Sequence, residues 1–179
     1  EESLKLHESL VMMCCKRLIA SELAEVHLWV DAQLDHPLFL SCVDSGVSSI
    51  KLQNGSNLGE KMFDCFTHTL RDHESVVLVG SDCPAIDDRY LRDAFQALES
   101  APLVFGPAFD GGYVLLGATE VRAELFENID WGGSDVLTSS LRAAKRLGLD
   151  ASLLKILRDI DRPSDLEHYL EYDLIRHSV

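Results

Sequence analysis

Strands alternating with helices along the chain predict an α/β fold with three layers, a mostly parallel central sheet carrying helices on both faces. Three observations predict it. Val76 to Val79 form an unbroken apolar run that closes on Gly80-Ser81-Asp82, the pattern of a strand buried on both sides. Residues 3–22 set Leu4, Val11, Cys15, Leu18 and Ile19 on one side at helical spacing. Helix-end signals recur downstream, with Asp87 ahead of "DRYLRDAFQALES" and Gly148 closing a helix that Ser134 can open.

Taken in order, the first helix starts near Ser3 as N-cap. "EVHLWVD" reads as a strand and "DAQLDHPLF" as the loop leaving it. "SIKLQ" is a short strand, and the polar "NGSNLGEKM" enters a helix running to about His73. After the Val76–Val79 strand and the Asp87-capped helix come strands at "PLVFGP" and "YVLLG" and a short helix near residues 121–127. "LLKILRDID" reads as the last strand, and Ser164 with Glu167 forms a capping-box pattern opening a final helix. No repeat or linker interrupts the sequence, so residues 1–179 read as a single domain.

Composition restricts function. Sixteen Lys and Arg against thirty Asp and Glu leave a net charge of −14, which argues against a nucleic-acid surface. An anionic ligand therefore needs a metal or locally placed donors. No apolar run reaches the roughly 20 residues of a membrane span, and without a signal peptide the expected compartment is the cytoplasm. The five cysteines are odd in number and form no C-x-x-C pair, so buried or half-buried free thiols are expected. The seven histidines are scattered without metal-ligand spacing, and Trp29 reads as core.

In open α/β sheets ligands bind beyond the carboxyl ends of the strands. Three acids stand at such ends: Asp82 after "VVLVGS", Asp110 after "LVFGPAF" and Asp161 after "LLKILRDI". Each alone also fits a turn or a cap. Together at one edge they would repel unless a cation joined them. Oxygen-only ligands suit a hard ion, Mg²⁺ or Mn²⁺, of the kind that neutralises a diphosphate leaving group.

"GSDCPAI", "GPAFDGGYVLLG", Trp131 with Val136, and "DIDRPSDL" occur in the order seen in a bacterial family, the radical-SAM/selenodomain-associated transferases of type 1. "LQNGSNLGEKM" resembles that family's Gln-x-x-x-x-Leu-Gly-Glu-Arg-Met segment, with Lys61 in place of Arg. The resemblance covers nearly the whole chain from residue 3. It implies the GT-A fold of nucleotide-sugar transferases and of the nucleotidyltransferases for molybdopterin, sugar acids and phospholactate. It also implies a nucleotide or nucleotide-sugar donor and a small-molecule acceptor.

The resemblance further implies roles. Asp82 and Asp161 would hold the metal, with Asp159 as the lesser candidate beside Asp161. Asp110 would accept a hydrogen bond or proton from the attacking group, with Gly111 and Gly112 letting the backbone approach a ligand. Tyr113, Trp131, Gln53, Gly59 and Ser81 would contact substrate, the Leu58-Gly59-Glu60 turn lying near a nucleobase or serving only as a helix start.

Two departures stand out. The family's Trp-Ser-Thr is here Trp131-Gly132-Gly133-Ser134. The family's opening strand and basic "K-x-P-x-x-G-x-V-K-T-R-L" loop have no counterpart. A gap is therefore expected beside Val76–Val79, along with about 20 or more further upstream residues, or a substitute segment, to fill it. Without that loop, a metal-dependent glycosyltransferase-like enzyme is expected to bind donor poorly, and a non-catalytic nucleotide- or partner-binding relative is the rival.

Overall fold

The computed structural model describes residues 2–31, 34–160 and Asp165. Among them the order is α1 (Glu2–Ser21), β1 (His27–Val30), α2 (Pro37–Asp44), β2 (Ser49–Leu52), α3 (Leu58–Thr69), β3 (Val76–Val79) and α4 (Asp88–Leu98). Then follow β4 (Leu103–Pro107), β5 (Tyr113–Ala118), a 3-10 turn at Ala123–Leu125, α5 (Val136–Leu147) and β6 (Ala151–Leu153). No helix among the described residues is long and apolar enough to cross a membrane.

The α/β class and the layering follow the sequence. β4 is buried along its whole length and alternates between two cores. Leu103 and Phe105 pack with Leu116 and Ala118 against Met62 and Phe66 of α3 and Ala143 and Ala144 of α5. Val104 packs with Val114 and Leu115 against Tyr90, Leu91, Ala94 and Leu98 of α4. The period-two alternation of a strand thus feeds one core on each face, with helices covering both.

One sheet has the order β3-β5-β4-β6, and β1 with β2 forms a separate parallel pair. β4 and β6 are parallel, while β5 runs antiparallel to both β3 and β4. The reversal follows from the short connection at Asp110-Gly111-Gly112, since only antiparallel neighbours can be joined by so tight a turn.

Local signals place most elements. The Asp87 side chain accepts from Tyr90 N at 2.8 Å and caps α4. Gly148 ends α5 at φ 72°, the left-handed C-terminal position that glycine adopts without a Cβ penalty. Three expectations are corrected. Residues 37–44, within and beyond the expected loop, form α2, started by Pro37 and by His36, whose ring accepts from Leu38 N. The cap position of α5 is Asp135 rather than Ser134, without a side-chain bond. The last strand among the described residues is Ala151–Leu153, which meets the expected segment only at Leu153; residues 154–160 add an isolated bridge, Ala108 to Leu157. The Ser164–Glu167 capping box lies outside the described residues.

Among the described residues β3 pairs only with β5, and β1 only with β2. The remaining edges of β1 and β3 both line a cavity of about 800 Å³, beside Val76–Val79 where the sequence expects a gap. Antiparallel pairing fixes what β3 presents to it. Gly80 N donates to Val114 O at 3.0 Å, so residues 76, 78 and 80 bond to β5, while the backbone groups of Val77 and Val79 point the other way.

Candidate functional site

The cavity runs from the inter-strand space to the carboxyl ends of β1, β2 and β3, where Gln53, Lys61, Ser81, Asp82, Tyr113 and Asp159 line it. Its volume is in the range of a small-molecule site.

Asp82 follows β3 after Gly80 and Ser81. A Cβ on Gly80 would stand 2.6 Å from Asp82 Oδ1, so the carboxylate lies back over the bare Gly80 backbone at the strand end. The segment carrying Asp159 is pinned against it: Ile160 N donates to Asp82 O at 2.9 Å, and Cys83 Sγ donates to Arg158 O at 3.3 Å. Nearby thiols register the two acids. Burial pushes Cys83 up to about 12, with further raising by the charges of Asp82 and Asp159. Burial and then Asp82 push Cys14 up to about 11. All five cysteines are free, as the spacing predicts. Asp161, the expected second ligand, lies outside the described residues; within them Asp159 is the acid on the segment pinned to Asp82, and Glu8, Glu25 and Asp31 line other parts of the same cavity.

Asp110 sits in the β4–β5 connection. Because β3 and β4 both run opposite to β5, it shares the sheet edge of Asp82. It is exposed, and its Oδ1 accepts from Gly112 N at 2.8 Å, closing its own turn. It is not among the residues lining the cavity. Gly111 has φ +95°, and a Cβ there would meet Ser134 O at 1.9 Å, while its carbonyl accepts from Leu137 N at 3.0 Å. The turn is therefore seated on the start of α5, and glycine is required for that close approach.

Tyr113 and Trp131 are half-buried and meet edge to face, ring centroids 6.5 Å apart. Phe105 meets Tyr113 similarly at 5.2 Å. Burial raises the Tyr113 hydroxyl pKa. The Trp131 indole occupies the space over Gly59, where a Cβ would come within 2.6 Å of the ring. Gln53 lines the cavity and steadies β1, its Nε2 donating to Trp29 O at 3.2 Å. Ser81 lines it between Gly80 and Asp82. The structure thus brings Gln53, Ser81, Asp82 and Tyr113 to one cavity, whereas Asp110, Gly111 and Gly112 form the turn farther along the same edge.

Two features escaped the sequence. Lys61 Nζ is 2.9 Å from Asp31 Oδ1 at the cavity wall; the only signal was Lys61 standing at a motif's basic position. Glu25, His27 and His73 converge, their ligand atoms within 4.8 Å of one another, although the histidines are far apart in sequence. The one available hint was Glu25-x-His27, two residues apart and so on one face of a strand.

No curated protein matches the sequence. Among solved structures, a Desulfovibrio desulfuricans G20 protein provisionally named a nucleotide-diphospho-sugar transferase is similar, with TM-score 0.82 and 27% identity over 94% of this chain and 74% of that chain. The α/β architecture is therefore that of the nucleotide-diphospho-sugar transferase fold, as the motifs imply. A family model described as "Uncharacterized protein conserved in bacteria (DUF2064)" matches residues 14–133, well over half of the chain, and the chain belongs to that family.

Proposed function

We propose that this chain is a transferase using a nucleotide-activated donor, glycosyltransferase-like in chemistry and of the radical-SAM/selenodomain-associated type. The observation that carries this proposal is the pair of acids, Asp82 and Asp159, lining one cavity at the carboxyl edge of β3 in a chain of net charge −14. Such a site repels a diphosphate unless a cation intervenes. The donor set is oxygen-only and fits Mg²⁺ or Mn²⁺, with Asp82 as one ligand and Asp161 or Asp159 as the second. Bound there, the ion would neutralise charge developing on the leaving diphosphate.

The chain's own residues supply the rest. Gln53, Ser81 and the Gly59 turn face the donor's nucleoside, and Tyr113 and Trp131 form the wall between donor and acceptor. Asp110 orients the acceptor hydroxyl and takes its proton, with one oxygen committed to the turn that holds it, Gly111 seating that turn on the start of α5 and Gly112 leaving the backbone open beside the carboxylate. Residues 1–179 act as one domain. The similarity to the D. desulfuricans protein supports transfer from a nucleotide sugar. The "DIDRPSDL" segment, similar to the one that supplies a metal ligand in several nucleotidyltransferases, favours the second reading, nucleotidyl transfer.

Titration with nucleotide sugars and nucleoside triphosphates, with and without Mn²⁺, separates these readings. Mn²⁺-dependent binding that Asp82→Asn abolishes without lowering Tm is expected. Release of free sugar or transfer to an acceptor marks glycosyl chemistry, and release of pyrophosphate from a triphosphate marks nucleotidyl chemistry. Binding without turnover across an acceptor panel leaves a non-catalytic binder, and unchanged binding in Asp82→Asn removes Asp82 from the metal role.

A further inference from the structure

At the opposite end of β1 and β3 from Asp82, beyond the roughly 10 Å that each four-residue strand spans, stand Glu25, His27 and His73. We propose that these three side chains form a transition-metal site suited to Zn²⁺, which clasps β1 to the turn entering β3.

The His27 ring carries the inference. Its Nδ1 lies 2.8 Å from Ser49 Oγ on the paired strand β2, and this fixes the ring's orientation. Its Nε2 is buried with no hydrogen-bond partner. The nearest carboxylate oxygen, on Glu25, is 3.7 Å away, too far for a hydrogen bond. A buried ring nitrogen without a partner is costly. An imidazole held through one nitrogen with the other bare is the usual state of a metal ligand, whose outer partner sets the tautomer.

The other two groups approach the same point. The His27 and His73 ring centroids are 6.0 Å apart, and the three ligand atoms lie within 4.8 Å of one another. Tetrahedral zinc with bonds of about 2.0–2.2 Å needs donors about 3.3 Å apart. Glu25 and His73 are exposed, so side-chain rotation closes the difference while His27 stays fixed. Two imidazoles and one carboxylate with a fourth position open suit zinc, in contrast to the oxygen-only set around Asp82. The Lys51 ammonium, which opposes a second cation, is drawn over the Trp29 ring at 5.5 Å.

The placement gives the site a purpose. His27 belongs to the β1–β2 pair and His73 precedes β3 of the other sheet; among the described residues no strand bridges the two. A shared ion would tie the sheets together across that gap.

The test is Zn²⁺ titration of the full chain after chelator treatment, with Co²⁺ absorption as the probe of geometry. The expected result is one tightly bound zinc per chain, a tetrahedral Co²⁺ spectrum and a zinc-dependent rise in Tm. His73→Ala, at an exposed position that the fold tolerates, and His27→Gln should each weaken binding roughly tenfold or more and remove the Tm rise. His7→Ala, at an exposed position on α1, should bind as the parent does. No zinc binding, or equal binding in the His73→Ala and His7→Ala chains, overturns the site. Neither outcome bears on Mn²⁺-dependent nucleotide binding, which is read separately.

Discussion

The indole of Trp131 lies on the bare Cα of Gly59: a Cβ at residue 59 would stand 2.6 Å from ring carbon Cζ2 and 2.7 Å from Nε1. Gly59 is buried in the first turn of α3, so the contact ties that helix to the loop before α5. Alanine at an ordinary helical site gains up to about 1 kcal/mol over glycine. Here the overlap is with a rigid ring, and overpacking costs about 1–3 kcal/mol. Gly59→Ala should therefore lower stability by about 1–2 kcal/mol, as read by chemical denaturation. Gly59→Ala in a Trp131→Ala background should lose that penalty. A stabilising Gly59→Ala would show that the indole is not seated there.

Gly80 makes a second, functional case. Its missing Cβ leaves room for Asp82 Oδ1, 2.6 Å from where that carbon would be. A carboxylate is mobile, so Gly80→Ala should shift the Asp82 side chain rather than unfold the strand. The expected outcome is Mn²⁺-dependent nucleotide affinity reduced roughly tenfold or more, with Tm changed by a few degrees at most. Full affinity in Gly80→Ala would disconnect the carboxylate's position from binding.

The open edge of β3 predicts a pattern in amide hydrogen exchange. Leu78 bonds to Leu116, whereas Val77 and Val79 turn their amides to the cavity. In this chain Val77 and Val79 should exchange at least about tenfold faster than Leu78. Supplying a segment that pairs there should slow both. Equal protection of all three amides in the chain alone would mean that the edge is already paired.

The thiols predict behaviour in alkali. Burial is the first cause raising Cys15, Cys65 and Cys83 from 9.0 to about 12 and Cys14 to about 11. The folded chain keeps these protons to higher pH than the unfolded chain does. Between about pH 9 and pH 12 unfolding therefore releases protons, so stability is full below pH 9 and falls as pH rises. Tm should decline through that window, and Cys65 and Cys83 should resist alkylation at pH 8 in the native state. Rapid labelling of either at pH 8 would contradict the burial.

Much of this was legible because it is local. The apolar run Val76–Val79, the Asp87 cap and the Gly148 terminator each act through neighbours within a few residues, and each element appears at or within a few residues of its expected position. α2 was missed because its starting signal, Pro37 after a histidine cap, resembles a loop when read alone. β6 was misplaced because "LLKIL" is as apolar as a strand, whereas pairing with β4 selects Ala151–Leu153.

The sequence by itself determined the α/β class, the free cysteines and the placement of Asp82 and Asp110 beyond strand ends, since periodicity and end signals are carried by adjacent residues. Only the tertiary structure decided that Asp159 shares the cavity of Asp82, that Trp131 covers Gly59, and that His27 meets His73. Those pairs are distant in the chain, and their encounters depend on strand order and helix packing. A side chain's immediate neighbours in sequence carry no record of either.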